Sequence, residues 1–132
     1  MPQIELSTTK GLVQKSGQGF VDAGFQEHSA GAVDLTAATA TAAEKGALVH
    51  LLSANGNNVF KLFTKEQGAV KGQIKVIILK AEAAGGNSFT VDNHDNSDLA
   101  ALATPGDMAI CIFDGTNWVS GKALAWYCID LI

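Results

Sequence analysis

From residue 47 onward, apolar and polar residues alternate in short runs, and nearly every run stops at a cluster of Gly, Asn, Asp or Ser. A period of two puts successive side chains on opposite faces, which is strand geometry, so this part of the chain is limited to sheets. Leu48–Leu52 and Val59–Thr64 flank Ala54-Asn55-Gly56-Asn57-Asn58. Asn-Gly readily supplies positive φ, so the pattern predicts a hairpin there. Ile74–Lys80 is apolar on both faces in its middle, which predicts a central strand. Gly85-Gly86-Asn87 separates it from a further strand, Ser88–Asp92. Asp107–Phe113 and Trp118–Ser120 flank Asp114-Gly115-Thr116-Asn117, a second hairpin pattern. Leu99–Ala103, preceded by the capping residues Ser97 and Asp98 and followed by Pro105, predicts a short helical turn.

About eight strands with little helix indicate an all-β single domain, an antiparallel β-sandwich or jelly-roll-like fold. The one longer helical candidate is Thr36–Lys45, where alanines favour helix and the threonines at 36, 39 and 41 oppose it. Residues 1–31 differ in texture: five of the fourteen glycines fall here, among broken apolar pieces. They are expected to form a glycine-rich N-terminal arm with one short strand, Ile4–Thr8, ahead of a β-sandwich domain over 32–132. Ile4, Leu6, Leu12, Val13, Phe20 and Phe25 are spread along that arm, which suits a strap pairing with a neighbour through its backbone.

Composition narrows the function classes. Hydrophobic residues make up 47% of the 132 and charged residues 17%, against about 25% in ordinary soluble domains. That balance excludes intrinsic disorder. Nine lysines, no arginine and a net charge of -4 argue against a nucleic-acid partner, which calls for a basic patch with arginine forks. No run reaches the roughly 18 apolar residues of a membrane span, and no secretory leader is expected from Met1–Gly11. Cys111 and Cys128 lie in apolar runs and read as buried free thiols, or as a bridge between adjacent strands, in a protein made in a reducing cytoplasm.

No motif assembles a catalytic site, and no enzyme activity, metal or cofactor is expected. Asp92–Asp98 alternates oxygen ligands, but His94, Ser97 and Ala103 break the calcium-loop pattern, which leaves a solvated turn. His28, His50 and His94 lack zinc spacing, and His50, inside an alternating strand, is expected to face solvent or a partner chain. No GxSxG elbow activates any of the serines, and Gly17-Gln18-Gly19 lacks the rest of a dinucleotide loop. Trp126 and Tyr127 are consecutive, so one must leave the core face of its strand. Burial at a subunit contact, where aromatics concentrate, is favoured over stacking on a sugar. The last strand, Leu124–Ile132, carries only Asp130 as a charge, which makes Trp126, Tyr127, Ile129 and Leu131 candidates for a homotrimer contact.

Gly46–Leu52 with Gly56 and Val59–Leu62, and the run Gly106-Asp107-Met108-Ala109-Ile110-Cys111-Ile112-Phe113-Asp114-Gly115-Thr116-Asn117-Trp118, resemble small β-rich virion proteins of tailed bacteriophages. The likeness extends over about residues 32–122 and is nearest to capsid decoration, or cement, proteins. It implies a homotrimer on the outside of the assembled head, bound to the major capsid protein and stabilising capsomer junctions. Ile4, Leu6, Phe20 and Phe25 are then the capsid-attachment candidates. The same texture occurs in head-fibre and tail-fibre knobs that bind a host receptor or glycan. No catalytic residue comes with the resemblance.

Overall fold

The computed structural model of the chain describes residues 3–7, 11–16 and 24–122. The first strands, β1 (Gln3–Ser7) and β2 (Gly11–Ser16), pair antiparallel as a two-stranded sheet of their own. The remaining strands are β3 (Phe25–Glu27), β4 (Val33–Asp34), β5 (Val49–Ala54), β6 (Asn57–Lys61), β7 (Ile74–Glu82), β8 (Ser88–Asp92), β9 (Asp98–Leu102), β10 (Met108–Phe113) and β11 (Trp118–Lys122). They form a five-stranded sheet in the order β11-β10-β7-β5-β3 and a four-stranded sheet in the order β4-β6-β8-β9. The two sheets pack face to face, so the chain is an all-β sandwich. β3 lies within the glycine-rich first 31 residues and is part of this sandwich through its pairing with β5.

The sheets are mixed rather than purely antiparallel, because the chain crosses from one sheet to the other three times in the same sense. β3 turns into β4, β5 into β6 and β7 into β8, each pair forming an arch with one leg in each sheet. The arches stack in parallel: Phe25 lies beside Val49 and Val49 beside Val76, while Val33 lies beside Phe60 and Phe60 beside Val91. β9 then pairs antiparallel with β8, and β10 and β11 extend the other sheet antiparallel from β7.

Asn55-Gly56 therefore joins two sheets and is not the turn of a hairpin. Neither residue takes positive φ, which a two-residue hairpin turn needs. Asn58 Oδ1 instead accepts a hydrogen bond from Asn55 N at 3.0 Å. Leu52 and Ala54 on one leg and Phe60 on the other are all buried between the sheets. The Asp114-Gly115 turn is a hairpin: Phe113 pairs with Trp118, Gly115 sits at φ 107°, and Asp114 Oδ1 accepts from Thr116 N and Asn117 N. Ile74–Lys80 falls in β7, at the centre of its sheet.

Leu99–Ala103 is not helical. It lies largely within β9, with Ala100 and Leu102 facing the core at alternate positions, and Asp107 Oδ2 accepts from Ala103 N and Thr104 N just beyond it. The Thr36–Lys45 segment forms a helix only at its end, as α1 (Ala42–Gly46). Thr36 is held in a turn by Asp34, and Thr41 starts the helix with a reciprocal capping box to Glu44. The core is filled by Phe60, Phe63, Phe89, Phe113 and Trp118 among aliphatic side chains, and the Trp118 indole N–H donates to Phe63 O at 2.8 Å.

Candidate functional site

The outward side of the five-stranded sheet is apolar, and the outward side of the four-stranded sheet is not. Cross-strand pairing arranges the first into rows. Val119, Ile112 and Ile74 form one, while Ile110, Val76, Val49 and Phe25 form the next. Met108, Ile78 and Leu51 form a third, ending at Glu27, which pairs with Lys80. Phe25 and Val119 are 54% and 55% exposed, and Ile74 and Ile112 are each 45% exposed. With strands about 4.8 Å apart and about 3.3 Å per residue, this face spans on the order of 400 Å². Apolar patches of a few hundred Å² are often functional, which makes this face a candidate contact surface. Across the sandwich, the outward positions of the four-stranded sheet include Asn57, Lys61, Thr90 and Asp98, a solvated face. There Lys61 lies beside both Asp34 and Asp92, and Asp98 lies beside Asp92. Burial and the neighbouring Asp98 push the Asp92 carboxyl above its usual range.

Inside the sandwich, each arch contributes one polar group to a connected chain. Lys75 on β7 is fully buried, and its ammonium donates to Ala47 O at 2.6 Å and Glu44 O at 3.3 Å and reaches His50 Nε2 at 3.0 Å. The ammonium has no acceptor, so His50 Nε2 must accept and Nδ1 carries the proton. That Nδ1 lies 2.9 Å from His28 Nε2, and the two rings stack 5.2 Å apart at 15°. Phe60 meets both rings edge-on, and Lys75 Nζ lies 5.6 Å from the centre of the Phe63 ring.

Burial, reinforced by the Lys75 cation, lowers the His50 pKa to about 3. Burial lowers Lys75 to about 8. Cys111, beside Lys75 across β10 and β7, is pushed up to about 11 by burial and is a protonated thiol at neutral pH. His50 thus faces the interior, not solvent or a partner. Its partners lie 22 and 25 residues away in the sequence, so nothing near it in the chain signals them.

No family model, curated protein or solved structure matches the chain. Its chemistry is therefore argued from its own residues. The polar chain ends at His28, which with Ser29, Asp34, Thr39 and Glu44 lines an open cleft of about 240 Å³ beside the first arch. The cleft offers donors and acceptors suited to a polar ligand, whereas Lys75, His50 and Cys111 are sealed from solvent and serve the interior. Lys75 holds α1 over the sheet by binding carbonyls at its C-terminal end, where a cation is favoured.

The Asp92–Asp98 loop is a docked turn. Asp95 Oδ1 accepts from Ser97 N, Asn93 Oδ1 accepts from Trp118 N, and His94 Nε2 lies 2.9 Å from Thr116 O. Among the described residues no group of three His, Cys, Asp or Glu side chains is placed to hold a metal ion. Of the sequence candidates, Phe25 sits on the apolar face, and Ile4 and Leu6 fall in β1. Phe20, Trp126, Tyr127, Ile129, Leu131 and Cys128 lie outside the described residues. The apolar rows centred on Ile110, Ile112 and Val76 are the part sequence reasoning passed over, although Met108–Phe113 and Ile74–Lys80 carry the signal of apolar residues at consecutive positions.

Proposed function

We propose that this chain is a structural virion protein, a capsid decoration protein that binds the assembled head as a homotrimer and stabilises capsomer junctions. The observation that supports it is the apolar outward face of the five-stranded sheet, which includes the attachment candidate Phe25. Contact with the major capsid protein removes that face from water, at about 25 cal/mol per Å² of apolar surface. Three copies held together engage three such sites at once, so each contact is weak alone and firm in sum. The role is binding rather than catalysis, because the interior ionisable groups are covered and hydrogen-bonded to the protein itself. Electron microscopy of particles that carry the protein tests this: density over the head capsomers is expected, and density at a tail or fibre tip overturns it.

The cleft at His28 favours one other reading, a fibre knob that takes a receptor glycan, since Asp34, Glu44 and Thr39 offer partners for sugar hydroxyls. Saturable binding of one sugar on a glycan array, lost in His28→Ala, supports that reading in place of decoration.

A further inference from the structure

The stack of arches ends at β3 with a hydrogen-bonding edge that no described strand uses. Gly24 O accepts from Leu48 N at 2.8 Å and Val49 N at 3.1 Å, and His28 N donates to Leu51 O at 2.9 Å. Backbone groups alternate in direction along a strand, so the even-numbered residues face β5 while the N–H and C=O of Phe25 and Glu27 point away from the sheet. Among the described residues, no strand pairs with that side of β3. Bare edges of this kind are templates for another strand and are normally covered. Elsewhere in the same chain, β1 and β2 form a hairpin that, among the described residues, pairs with no other strand. A two-stranded hairpin is at best marginally stable alone and gains from a sheet to join.

We propose that the β1–β2 hairpin of one copy adds to the open β3 edge of the next copy, extending its five-stranded sheet, and that three copies close head to tail into a ring. The contact is heterologous, hairpin on one copy and edge on the other, and contacts of that kind form closed rings when the rotation between copies allows. Residues 17–24 join hairpin to β3, and eight residues reach at most about 29 Å, enough to hand a strand to an adjacent copy. The added strand uses main-chain hydrogen bonds for affinity, as in other strand-addition complexes. The outward apolar face stays free for the capsid. This inference rests on the decoration reading for the existence of an oligomer and for its three copies.

Hydrogen exchange on the full-length protein tests it. As concentration is raised through the range where the protein assembles, the amides of Phe25 and Glu27 and those of residues 3–16 should gain protection together, about tenfold or more. Glu27→Pro removes one edge N–H and should weaken assembly about fivefold, as expected for roughly 1 kcal/mol per lost hydrogen bond. Glu27→Ala keeps the N–H, loses only a surface ion pair, and should assemble like the parent. Equal behaviour of the two variants overturns the proposal, as does an intact oligomer whose Phe25 and Glu27 amides exchange freely, or a chain that stays monomeric. Capsid binding by a monomer would sink the ring and the trimer but leave capsid attachment standing; a ring that ignores capsids would do the reverse.

Discussion

Lys75 and His50 make the interior sensitive to pH in a direction that follows from their positions. His50 titrates near 3 when folded and near 6.5 when unfolded, because burial and the Lys75 cation oppose a second charge. Between those values the unfolded chain holds a proton the folded chain refuses, so this stability is present above pH 6.5 and is lost as pH falls toward 3. At about 1.4 kcal/mol per pH unit the loss is on the order of 4–5 kcal/mol, a large share of an ordinary domain's stability. Lys75 behaves alike at the other end. Its folded value of about 8 lies below the usual 10.5, so stability rises as pH increases from 8 to 10.5, by roughly 3 kcal/mol. Denaturant titrations across pH should show both limbs. Lys75→Met should flatten the alkaline limb and shrink the acid one, since the cation that opposes His50 protonation is gone. An unchanged profile in that variant would mean the two groups are not coupled. The same substitution strands Ala47 O, Glu44 O and His50 Nε2 without their donor, at about 1–3 kcal/mol for each acceptor that stays dry. That cost offsets the relief of removing a buried cation, so the slope with pH is the informative readout.

Gly24, at the entry to β3, and Gly56, in the second arch, answer different needs. Gly24 sits at φ 100°, and a Cβ there would lie 2.5 Å from Ala47 Cα and 3.0 Å from Gly46 O. Gly24→Ala combines left-handed strain with a backbone clash and should destabilise by about 3 kcal/mol. Gly56 has no positive φ, and a Cβ there meets nothing within 4 Å, so Gly56→Ala should be neutral or stabilising by up to about 1 kcal/mol. Equilibrium unfolding of the two variants checks the pair; a severe loss at Gly56 would restore the hairpin turn that Asn-Gly suggests. The sequence was legible wherever one strand's own pattern decided the matter. Ile74–Lys80 is apolar on both sides because it is central, and Asp114-Gly115 turns a hairpin because its two strands pair flat. It was opaque where the answer depends on what lies across the sandwich. Asn55-Gly56 marks a reversal in either case, and only the packing of Leu52 against the opposite leg makes it an arch. Alanines at 100, 101 and 103 fit helix or strand, and pairing with β8 decides for strand. His50 alternates like any half-exposed strand residue, and its burial depends on His28 and Lys75 arriving from the neighbouring arches. The outward apolar rows were half visible, as consecutive apolar residues in β7 and β10, but that they line up across strands required the register.

At the scale of the molecule, the sandwich has one solvated side and one apolar side, a division of surfaces that suits the decoration proposed above. Ile112 lies near one end of the apolar face, beside Ile74 and Val119, and is 45% exposed. Ile112→Lys places an ammonium on that face without entering the core, so folding stability should change by no more than about 0.5–1 kcal/mol. Docked against another protein, the same lysine must be desolvated without a partner, which costs at least a few kcal/mol and should reduce capsid binding a hundredfold or more. Thr90→Lys, on the outward side of the four-stranded sheet, supplies the same charge to the solvated face and should leave binding as it was. Co-sedimentation with undecorated capsids measures both variants, and sedimentation velocity confirms that the oligomer survives in each, since the β3 edge is untouched. Because the driving contact is apolar, binding of the parent should change little between low and moderate salt and strengthen in sulfate. If Thr90→Lys fails to bind and Ile112→Lys succeeds, the charged side carrying Lys61, Asp92 and Asp98 is the docking surface, and the apolar face needs another occupant.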